Sequence, residues 1–370
     1  FKLFYFGLHW LFYLILNSEN LMQYRIISSQ KDFIKIAEIW KIKYLTSDNY
    51  SFFQSYEWNY YWYLNNLIDK KLFIILFYKE NYKHECNLIC PTFIDEKGTL
   101  RFISDNHSDF CDVLADNLLT IDCIAISKLF SELILKHGEI RKINLKNFSK
   151  NNSYISILLS KLEFNAKYFQ TVSSSSFILE KEKQFPYSVS HFKSSNRKRI
   201  NKNIKKFSNY EYRLVNSNNL EFPRKTLVRL RDYMVKKGSR EIDFLNDDMI
   251  RTMNYLYDNH LINLNMVSYK NEVKSIIIIF KKQNSYQLWI SLYMDTPHIS
   301  IFTINSFLQS IMSKEDVRID LGRGVYKFKT INYAPTSLLL YEFYFSKNNL
   351  DYFIFIFNKI LKITLKKLLR

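Results

Sequence analysis

The sequence predicts an α/β fold with a mixed β-sheet, present in two copies along 370 residues. One order of elements recurs in both halves: a strand meander, a helix, a strand, a connection and a final strand. Apolar residues make up 47% of the chain, which supports two sizeable cores and excludes wholesale disorder. No low-complexity linker separates the two copies.

The first copy is defined by apolar runs that end at turn residues. Its predicted strands cover 72–78, 87–93, 99–104, 140–145 and 171–179, and its predicted helices cover 121–137 and 153–162. The segment Asp95-Glu96-Lys97-Gly98 predicts a turn between two of these strands, because glycine tolerates the backbone angles of tight turns.

The second copy repeats this order. Its predicted strands cover 261–268, 275–281, 286–293, 317–320 and 338–345, and its predicted helix covers 302–312. A further helix at 190–207 is predicted to join the two copies.

This joining helix is strongly basic. It carries seven basic residues and no acid between Lys193 and Lys206. Its apolar residues recur at helical spacing and predict one buried face: Phe192, Ile200, Ile204 and Phe207. The basic face indicates either a surface that meets phosphates or anionic lipid, or an ordinary solvated helix face.

Residues 352–370 predict an amphipathic cationic helix. Its apolar residues are Phe353, Ile354, Phe357, Ile360, Leu361, Leu365 and Leu368, and its basic residues are Lys359, Lys362, Lys366, Lys367 and Arg370. Such a helix either packs on the protein or lies on a membrane surface.

The formal net charge of +18 favours acidic partners such as nucleic acid, anionic lipid or a phosphate-rich cofactor. Lysine supplies most of this charge. Because A/T-rich codons encode lysine, part of the charge reflects genome composition. Nucleic acid is not expected as a partner, since no zinc-finger spacing or aromatic RNA-binding signature is visible.

The cysteines and the first residues add little chemistry. Cys86, Cys90, Cys111 and Cys123 form no metal or redox pattern, so we expect free, partly buried thiols, a reducing cytoplasm and no bound metal. Residues 1–21 are interpreted as a doubtful N-terminal extension, because their apolar part is short for a membrane span of about 20 residues. A membrane anchor is the alternative.

The most informative segment is Asp320-Leu321-Gly322-Arg323-Gly324-Val325-Tyr326-Lys327, which follows a short predicted strand. It contains two of only six glycines in the chain. Two glycines this close predict a tight turn whose backbone approaches a ligand or another strand. The alternative to a functional site is a structural turn in which Asp320 pairs with Arg323.

Four segments carry a resemblance to a known family. They are the aromatic segment 52–58 followed by Trp62, the segment 108–113, the basic stretch 197–206, and Asp320-x-Gly322-Arg323-Gly324 with Tyr326-Lys327. Together they resemble the CelD-like bacterial acetyltransferases of the GNAT superfamily. That group is associated with cellulose and exopolysaccharide biosynthesis and is related to the Fem-type aminoacyl transferases. Tyr293-x-Asp295 falls where the family has a Tyr-Asp-Pro turn.

The resemblance implies two tandem GNAT-like acyltransferase domains, at 22–180 and 181–348. The basic helix and the glycine motif would belong to the second domain, and 349–370 would form a separate cationic C-terminal helix. The expected location is the cytoplasm, with peripheral contact at an anionic inner membrane left open.

The resemblance also implies transfer of an acyl group from acetyl-CoA or another acyl-CoA to an amine or hydroxyl. The acceptor would be a sugar-amine or another cell-envelope or polysaccharide precursor. Asp320 would orient or deprotonate the acceptor, and Tyr326 would act as an acid or bind the acceptor. Arg323 and Lys327 would stabilise negative charge or bind phosphates. Substrate-binding roles would fall to Tyr293, Asp295, Trp58 and Asp109.

The predicted donor site departs from the family in one respect. Relatives that bind acyl-CoA have a glycine-containing loop whose amides hold the pyrophosphate at a helix N-terminus. The corresponding loop here lacks glycine, so the predicted cofactor-binding residues are Ser300, Thr303 and Asn305. Ile301 and Phe302 would narrow the approach of a phosphate.

Two alternatives to an acyl-CoA enzyme stay open at the level of sequence. A Fem-like transferase would take an aminoacyl group from tRNA, whose phosphates suit the basic helix equally well. A catalytically degenerate copy would keep the fold and act as a membrane-associated partner in polysaccharide biosynthesis.

Overall fold

The computed structural model describes residues 22–47, 51–66, 70–79, 86–115, 120–150, 153–160, 162, 165–294, 296–311, 315–324 and 326–368. The proposed extension 1–21 lies outside these residues. The chain divides into two compact units. Of the described residues, the first unit contains those within Phe1–Tyr60, Leu67–Thr171 and Leu340–Arg370, and the second contains those within Tyr61–Asn66 and Val172–Leu339.

This division differs from the domain boundaries expected from the sequence, because the end of the chain returns to the first unit. The strand Thr336–Ser346 pairs with Lys142–Phe148, and these backbone hydrogen bonds make it part of the first unit's sheet. The helix Asn349–Leu368 packs beside that strand, where the Phe355 and Tyr344 rings stack with centroids 3.6 Å apart.

The first unit alternates short strands and helices. Its helices are α1 (Gln30–Lys35), α2 (Ala37–Thr46), α3 (Tyr56–Asn66, which ends in the second unit), α4 (Thr120–Lys136), α5 (Tyr154–Leu159) and α11 (Asn349–Leu368), with a 3₁₀ turn at Phe52–Gln54. Its strands are β1 (Met22–Ile27), β2 (Lys71–Leu72), β3 (Ile74–Lys79), β4 (Cys86–Cys90), β5 (Thr92–Ile94), β6 (Thr99–Phe102), β7 (Leu114–Ala115), β8 (Lys142–Phe148), the start of β9 (Ala166–Leu179) and most of β15 (Thr336–Ser346).

Two groups of strands enclose the core of the first unit. β1, β3, β4 and β7 form an antiparallel sheet. A second group has the order β15-β8-β6-β5-β2, in which β6 and β8 are parallel and the other neighbours are antiparallel. Helix α4 covers the core with Ile126, Phe130 and Leu133, which recur at helical spacing and are at most 3% exposed.

A buried carboxylate holds the start of α5. Asp112 accepts hydrogen bonds from the backbone amides of Val113 at 2.8 Å, Ile155 at 3.0 Å and Tyr154 at 3.3 Å. The last two amides open α5 and have no acceptor within the helix. The segment 108–113 therefore has a structural role through Asp112.

We expect Asp112→Ala to lower the free energy of unfolding by about 2–4 kcal/mol, because buried backbone amides lose their acceptor. Asp112→Asn keeps one acceptor oxygen and should cost less. Urea unfolding of both variants measures the difference. Equal losses would contradict this account, because Asn keeps the side-chain volume and one acceptor oxygen that Ala lacks.

The second unit begins within β9. Its helices are α6 (Ser194–Lys206), α7 (Arg224–Lys236), α8 (Asp247–Asp258), α9 (Ile299–Ser310) and α10 (Lys327–Tyr333). Its further strands are β10 (Glu211–Val215), β11 (Ile262–Tyr269), β12 (Glu272–Lys282), β13 (Ser285–Tyr293) and β14 (Val317–Arg323).

The strands of the second unit have the order β10-β11-β12-β13-β14-β9. β13 and β14 are parallel, whereas all other neighbours are antiparallel. In β12 every residue from Ile276 to Phe280 is at most 1% exposed. Burial on both faces explains why this strand is a continuous apolar run.

Several sequence-based boundaries are corrected in this unit. β14 does not end at Asp320 but continues to Arg323 through an irregularity in its pairing with β9. Helix α9 starts at Ile299, three residues earlier than predicted. Helices α7, α8 and α10 were not predicted. The basic helix α6 lies within the second unit.

All four cysteines are free, as predicted, but they are buried and not partly buried as expected. Within the segment predicted as a cationic C-terminal helix, Asn349–Leu368 is helical. In the described part of the chain, no helix is both long enough and apolar enough to cross a bilayer.

Candidate functional site

Two parallel strands of the second unit separate soon after they pair. Among the described residues, β13 and β14 are in register at Ser285–Arg318, Tyr286–Ile319 and Gln287–Asp320. Beyond this point β13 stays paired with β12, and β14 stays beside β9. The carboxyl ends of β13 and β14 therefore border a gap, and such a place in an α/β sheet commonly binds ligands.

The glycine motif forms the end of β14 and the turn after it. Gly322 and Gly324 have φ angles of 76° and 94°, in the left-handed region that favours glycine. The Gly324 amide donates to the carbonyl of Ser173 on β9 at 2.8 Å. A Cβ on Gly324 would lie 2.8 Å from Cε2 of Tyr326. The predicted close approach to another strand is confirmed.

Asp320 stands at the start of this turn. Its Oδ1 accepts from the Gly322 amide at 2.7 Å and from the Ser174 hydroxyl at 3.1 Å. Burial raises the pKa of the Asp320 carboxyl above its ordinary value, although these hydrogen bonds and the charges of Arg318 and Lys329 oppose the shift. The structural alternative predicts that Asp320 pairs with Arg323. The two donors to Asp320 Oδ1 are instead Gly322 and Ser174.

A buried lysine beneath the turn was missed by sequence reasoning. Lys329 is 4% exposed, and its Nζ donates to the carbonyls of Gly322 at 3.0 Å, Arg323 at 3.2 Å and Gly324 at 2.9 Å. An ammonium has three hydrogens, so this geometry matches three consecutive acceptors. The lysine ties the turn to α10, which it belongs to.

The predicted catalytic residues share one strand–turn–helix segment. Asp320 and Arg323 lie on β14, Tyr326 precedes α10, and Lys327 is its first residue. Tyr326 is 51% exposed and stacks on Phe328 with ring centroids 6.0 Å apart. Lys327 is exposed and Arg323 is partly exposed, so both can reach a ligand.

An open cavity of about 210 Å³ lies at the end of β13 and the start of α9. Its lining residues are Tyr293, Met294, Thr296, Pro297, His298, Ser300, Ile301 and Phe328. Two of them, Tyr293 and Ser300, are predicted site residues. Phe328 links the cavity to Tyr326 through their stacked rings.

A chain of hydrogen bonds fixes the turn at the mouth of this cavity. The Tyr333 hydroxyl donates to Oδ1 of Asn305 at 2.8 Å, and Nδ2 of Asn305 donates to Oδ1 of Asn203 at 2.9 Å. Nδ2 of Asn203 then donates to the His298 carbonyl at 3.3 Å. His298 precedes α9 in a left-handed conformation, with φ 72°. Burial raises the pKa of Tyr333, which keeps the phenol protonated as a donor.

The three predicted cofactor-binding residues have different surroundings. Ser300 lines the cavity. Asn305 is fully buried in the hydrogen-bond chain above. Thr303 is also fully buried, and its hydroxyl oxygen lies 2.9 Å from both Ser275 Oγ and the Ile299 carbonyl oxygen, within hydrogen-bonding distance of each. The side chains of Thr303 and Asn305 thus position α9 from inside.

The bulky residues of the loop are also placed differently. Ile301 lines the cavity, as expected for a residue that narrows it. Phe302 is 5% exposed and packs against Phe207, with ring centroids 5.1 Å apart. Phe302 therefore packs in the core and does not narrow the cavity, although its side chain is large.

The basic helix α6 packs against α9 and faces solvent with its charges. Ile200 and Phe207 are at most 2% exposed and anchor the helix and its C-cap. The exposed bases are Lys193, Lys198, Arg199, Lys202, Lys205 and Lys206. This row of cations lies on the helix that contacts His298 through Asn203.

Two of the remaining predicted substrate-binding residues, Trp58 and Asp109, belong to the first unit, whereas the motif belongs to the second. Trp58 is fully buried in the first unit, where its Nε1 donates to Ser104 Oγ at 2.7 Å and to Ser108 Oγ at 3.0 Å. Asp109 is 7% exposed in the same unit. Asp295 lies outside the described residues. Across the described chain, no cluster of His, Cys, Asp and Glu suits a metal ion.

Comparison with known proteins shows the fold but no family. No protein-family model and no curated protein matches the sequence. The crystal structure of FemX is similar with a TM-score of 0.57 and 11% identity, covering 90% of this chain and 99% of that one. L-PGS from Bacillus licheniformis has a TM-score of 0.54 and 11% identity, covering 89% and 95%.

A third similar structure comes from Agrobacterium fabrum. It is the C-terminal domain of a protein named as a lysylphosphatidylglycerol synthetase, with a TM-score of 0.55 and 11% identity, and covers 90% of this chain and 97% of that one. The predicted fold class is confirmed: the chain has an α/β fold with mixed sheets, similar to the fold of FemX. The narrower resemblance to the CelD-like group stays a prediction.

We expect Lys329→Met to lower the free energy of unfolding by about 2–3 kcal/mol, because three carbonyls of the turn lose a charged donor. The matched control is Lys327→Met, two residues away and exposed, which should change stability by less than about 0.5 kcal/mol. Urea unfolding measures both values. If the two variants were equally stable, the hydrogen bonds from Lys329 to the turn would contribute nothing to the free energy of unfolding.

Proposed function

We propose that the chain is an acyltransferase that moves an acyl group from acyl-CoA to an amine or hydroxyl of a cell-envelope or polysaccharide precursor. The observation that carries this proposal is the gap between β13 and β14, with Asp320 beside it and the start of α9 at its mouth. Further support comes from the fold shared with FemX and from the four segments that resemble CelD-like acetyltransferases.

The proposed donor site is the N-terminus of α9. The backbone amides of Ser300 and Ile301 lie in the first turn of α9, at the positive end of the helix dipole, and amides in this position bind a pyrophosphate. The exposed bases of α6 supply further positive charge along the same helix pair. The donor brings the activated acyl group, and the protein contributes binding and orientation.

The proposed chemistry is direct transfer. The acceptor nitrogen or oxygen attacks the thioester carbon, the carbon–sulfur bond breaks, and the thiolate leaves. Asp320 takes the acceptor's proton, and its raised pKa makes it a stronger base than an exposed aspartate. Tyr326 gives a proton to the thiolate. Arg323 and Lys327 stabilise the negative charge that develops in the transition state.

Aminoacyl-tRNA is a second candidate donor. The row of exposed bases on α6 is suited to a long phosphate backbone, and Ile301 restricts the cavity in which a compact pyrophosphate would sit. The similar structures include FemX and a protein named for a lysyl product, which favours an aminoacyl group. The acceptor chemistry at Asp320 would be unchanged.

Titration calorimetry of the full chain with acetyl-CoA and CoA tests the donor. We expect micromolar binding that Ser300→Asp weakens by about tenfold, because a carboxylate at the helix N-terminus repels phosphates. Ser300→Ala is the matched control and should bind like the wild type if backbone amides hold the donor.

Other outcomes separate the alternatives. Absent CoA binding together with salt-dependent binding of aminoacyl-tRNA would replace the first donor with the second. A folded protein that binds neither donor would contradict both and leave a non-catalytic copy of the fold.

The protonation of Asp320 gives a pH prediction. Its carboxyl should titrate above the ordinary pKa of 3.8, so the carboxylate needed as a base is lost as pH falls through that higher value. Ser174→Ala removes a hydrogen bond that lowers this pKa and should move the midpoint further upward. The carboxyl ¹³C resonance, assigned by its loss in Asp320→Asn, reports the midpoint.

Ser176→Ala is the control for this titration. Ser176 is the backbone partner of Asp320 in the β14–β9 register, but the hydrogen bond to the carboxylate comes from Ser174. The Asp320 midpoint should therefore be unchanged in Ser176→Ala. A midpoint at or below 3.8 in the wild type would refute the desolvated environment assigned to this group.

A further inference from the structure

The C-terminal helix α11 turns an apolar face to solvent. Six large apolar side chains on one side of this helix are about half exposed or more: Leu350 66%, Phe353 64%, Ile354 50%, Phe357 66%, Ile360 52% and Leu361 45%. Their spacing of three, four and seven residues places them on one stripe. A contiguous exposed stripe of this kind marks a surface that another apolar phase covers.

The opposite side of α11 is fixed to the first unit, so this orientation is set by packing. Phe355 stacks on Tyr344, as described above, and Asp351 pairs with Lys142 at 3.0 Å. Lys359 forms an ion pair with the buried Glu342. Rotating the helix to bury the stripe would break these contacts. The apolar stripe therefore faces outward in the folded first unit.

The charge of the helix selects what covers the stripe. After Asp351 the sequence has no acid, whereas Lys362, Lys366, Lys367 and Arg370 follow Lys359, which is already paired with Glu342. Asp351 is already paired with Lys142, so a second copy of this helix would offer no acidic partner to these cations. An anionic lipid surface offers both an apolar layer for the stripe and negative charge for the lysines.

We propose that α11 is a membrane-docking helix that lies in the plane of an anionic bilayer, with Leu350, Phe353, Phe357 and Ile360 in the acyl boundary. Helices of this type place their apolar face about 5–10 Å into the headgroup boundary. Docking would hold the first unit at the membrane surface. The inference is independent of the donor and acceptor proposed above, because it uses none of the residues of that site.

Co-sedimentation of the full chain with lipid vesicles tests this docking. We expect binding to vesicles that contain phosphatidylglycerol, weaker binding to pure phosphatidylcholine, and weakening by salt. The double variant Leu350→Asn/Phe357→Asn should bind about 100-fold more weakly, because two large apolar side chains leave the acyl boundary.

The matched control uses exposed apolar residues elsewhere in the first unit. Ile42 and Leu45 on α2 are 60% and 62% exposed, so Ile42→Asn/Leu45→Asn removes a similar apolar surface from another helix. This variant should bind vesicles like the wild type. Thermal unfolding of both double variants verifies that each is folded.

Three results would overturn the proposal. One is no sedimentation of the wild type with anionic vesicles at low salt. Another is equal binding by the Leu350→Asn/Phe357→Asn variant. The third is a concentration-dependent dimer, seen by sedimentation velocity and abolished by the same variant while vesicles stay unbound, which would identify a second copy as the occupant.

Discussion

The candidate site depends on the separation of two parallel strands. Parallel neighbours usually continue their hydrogen-bond ladder, yet among the described residues the pairing of β13 and β14 ends at Gln287 and Asp320. Backbone groups beyond that point need partners from water or a ligand. The connection through α9 leads from one side of the gap to the other, so the start of this helix and the motif border the same opening.

Hydrogen bonds of buried polar groups fix the conformation of the two turns that border this opening. The buried ammonium of Lys329 donates hydrogen bonds to three carbonyls of the glycine turn, so both the charge and the carbonyls have partners. The chain from Tyr333 through Asn305 to Asn203 does the same for the turn at His298. A buried polar group without partners is costly, so these contacts specify one arrangement of the site. The cavity is preorganised by its surroundings.

Periodic signals made much of the fold predictable. The apolar strand 275–281 was found because it is buried on both faces, and the structure extends it to Glu272–Lys282. Helix α7 could also have been predicted, since Leu227, Leu230 and Met234 recur at helical spacing. The many charged residues between them obscure this apolar periodicity. The motif stood out because glycine is rare in this chain.

The parts that sequence reasoning missed depend on tertiary contacts. Lys329 and Lys327 look alike in sequence, and only the position of the three carbonyls distinguishes the buried lysine from the exposed one. The sequence predicts that Asn305 binds the cofactor, but the structure places it in a hydrogen-bond chain with Tyr333 and Asn203. Sequence reasoning missed this role because both partners lie far from Asn305 in sequence. Ser174 had a weak signal, a run of serines within a strand.

The return of the chain to the first unit has a consequence for its synthesis. β8 emerges from the ribosome long before β15, its antiparallel neighbour, and all of Val172–Leu339 is made in between. During this interval one edge of β8 lacks its final neighbour, and such an edge readily pairs with other chains. The nascent protein is therefore most vulnerable to aggregation while its second unit is being translated, and chaperones that shield strand edges would matter most then.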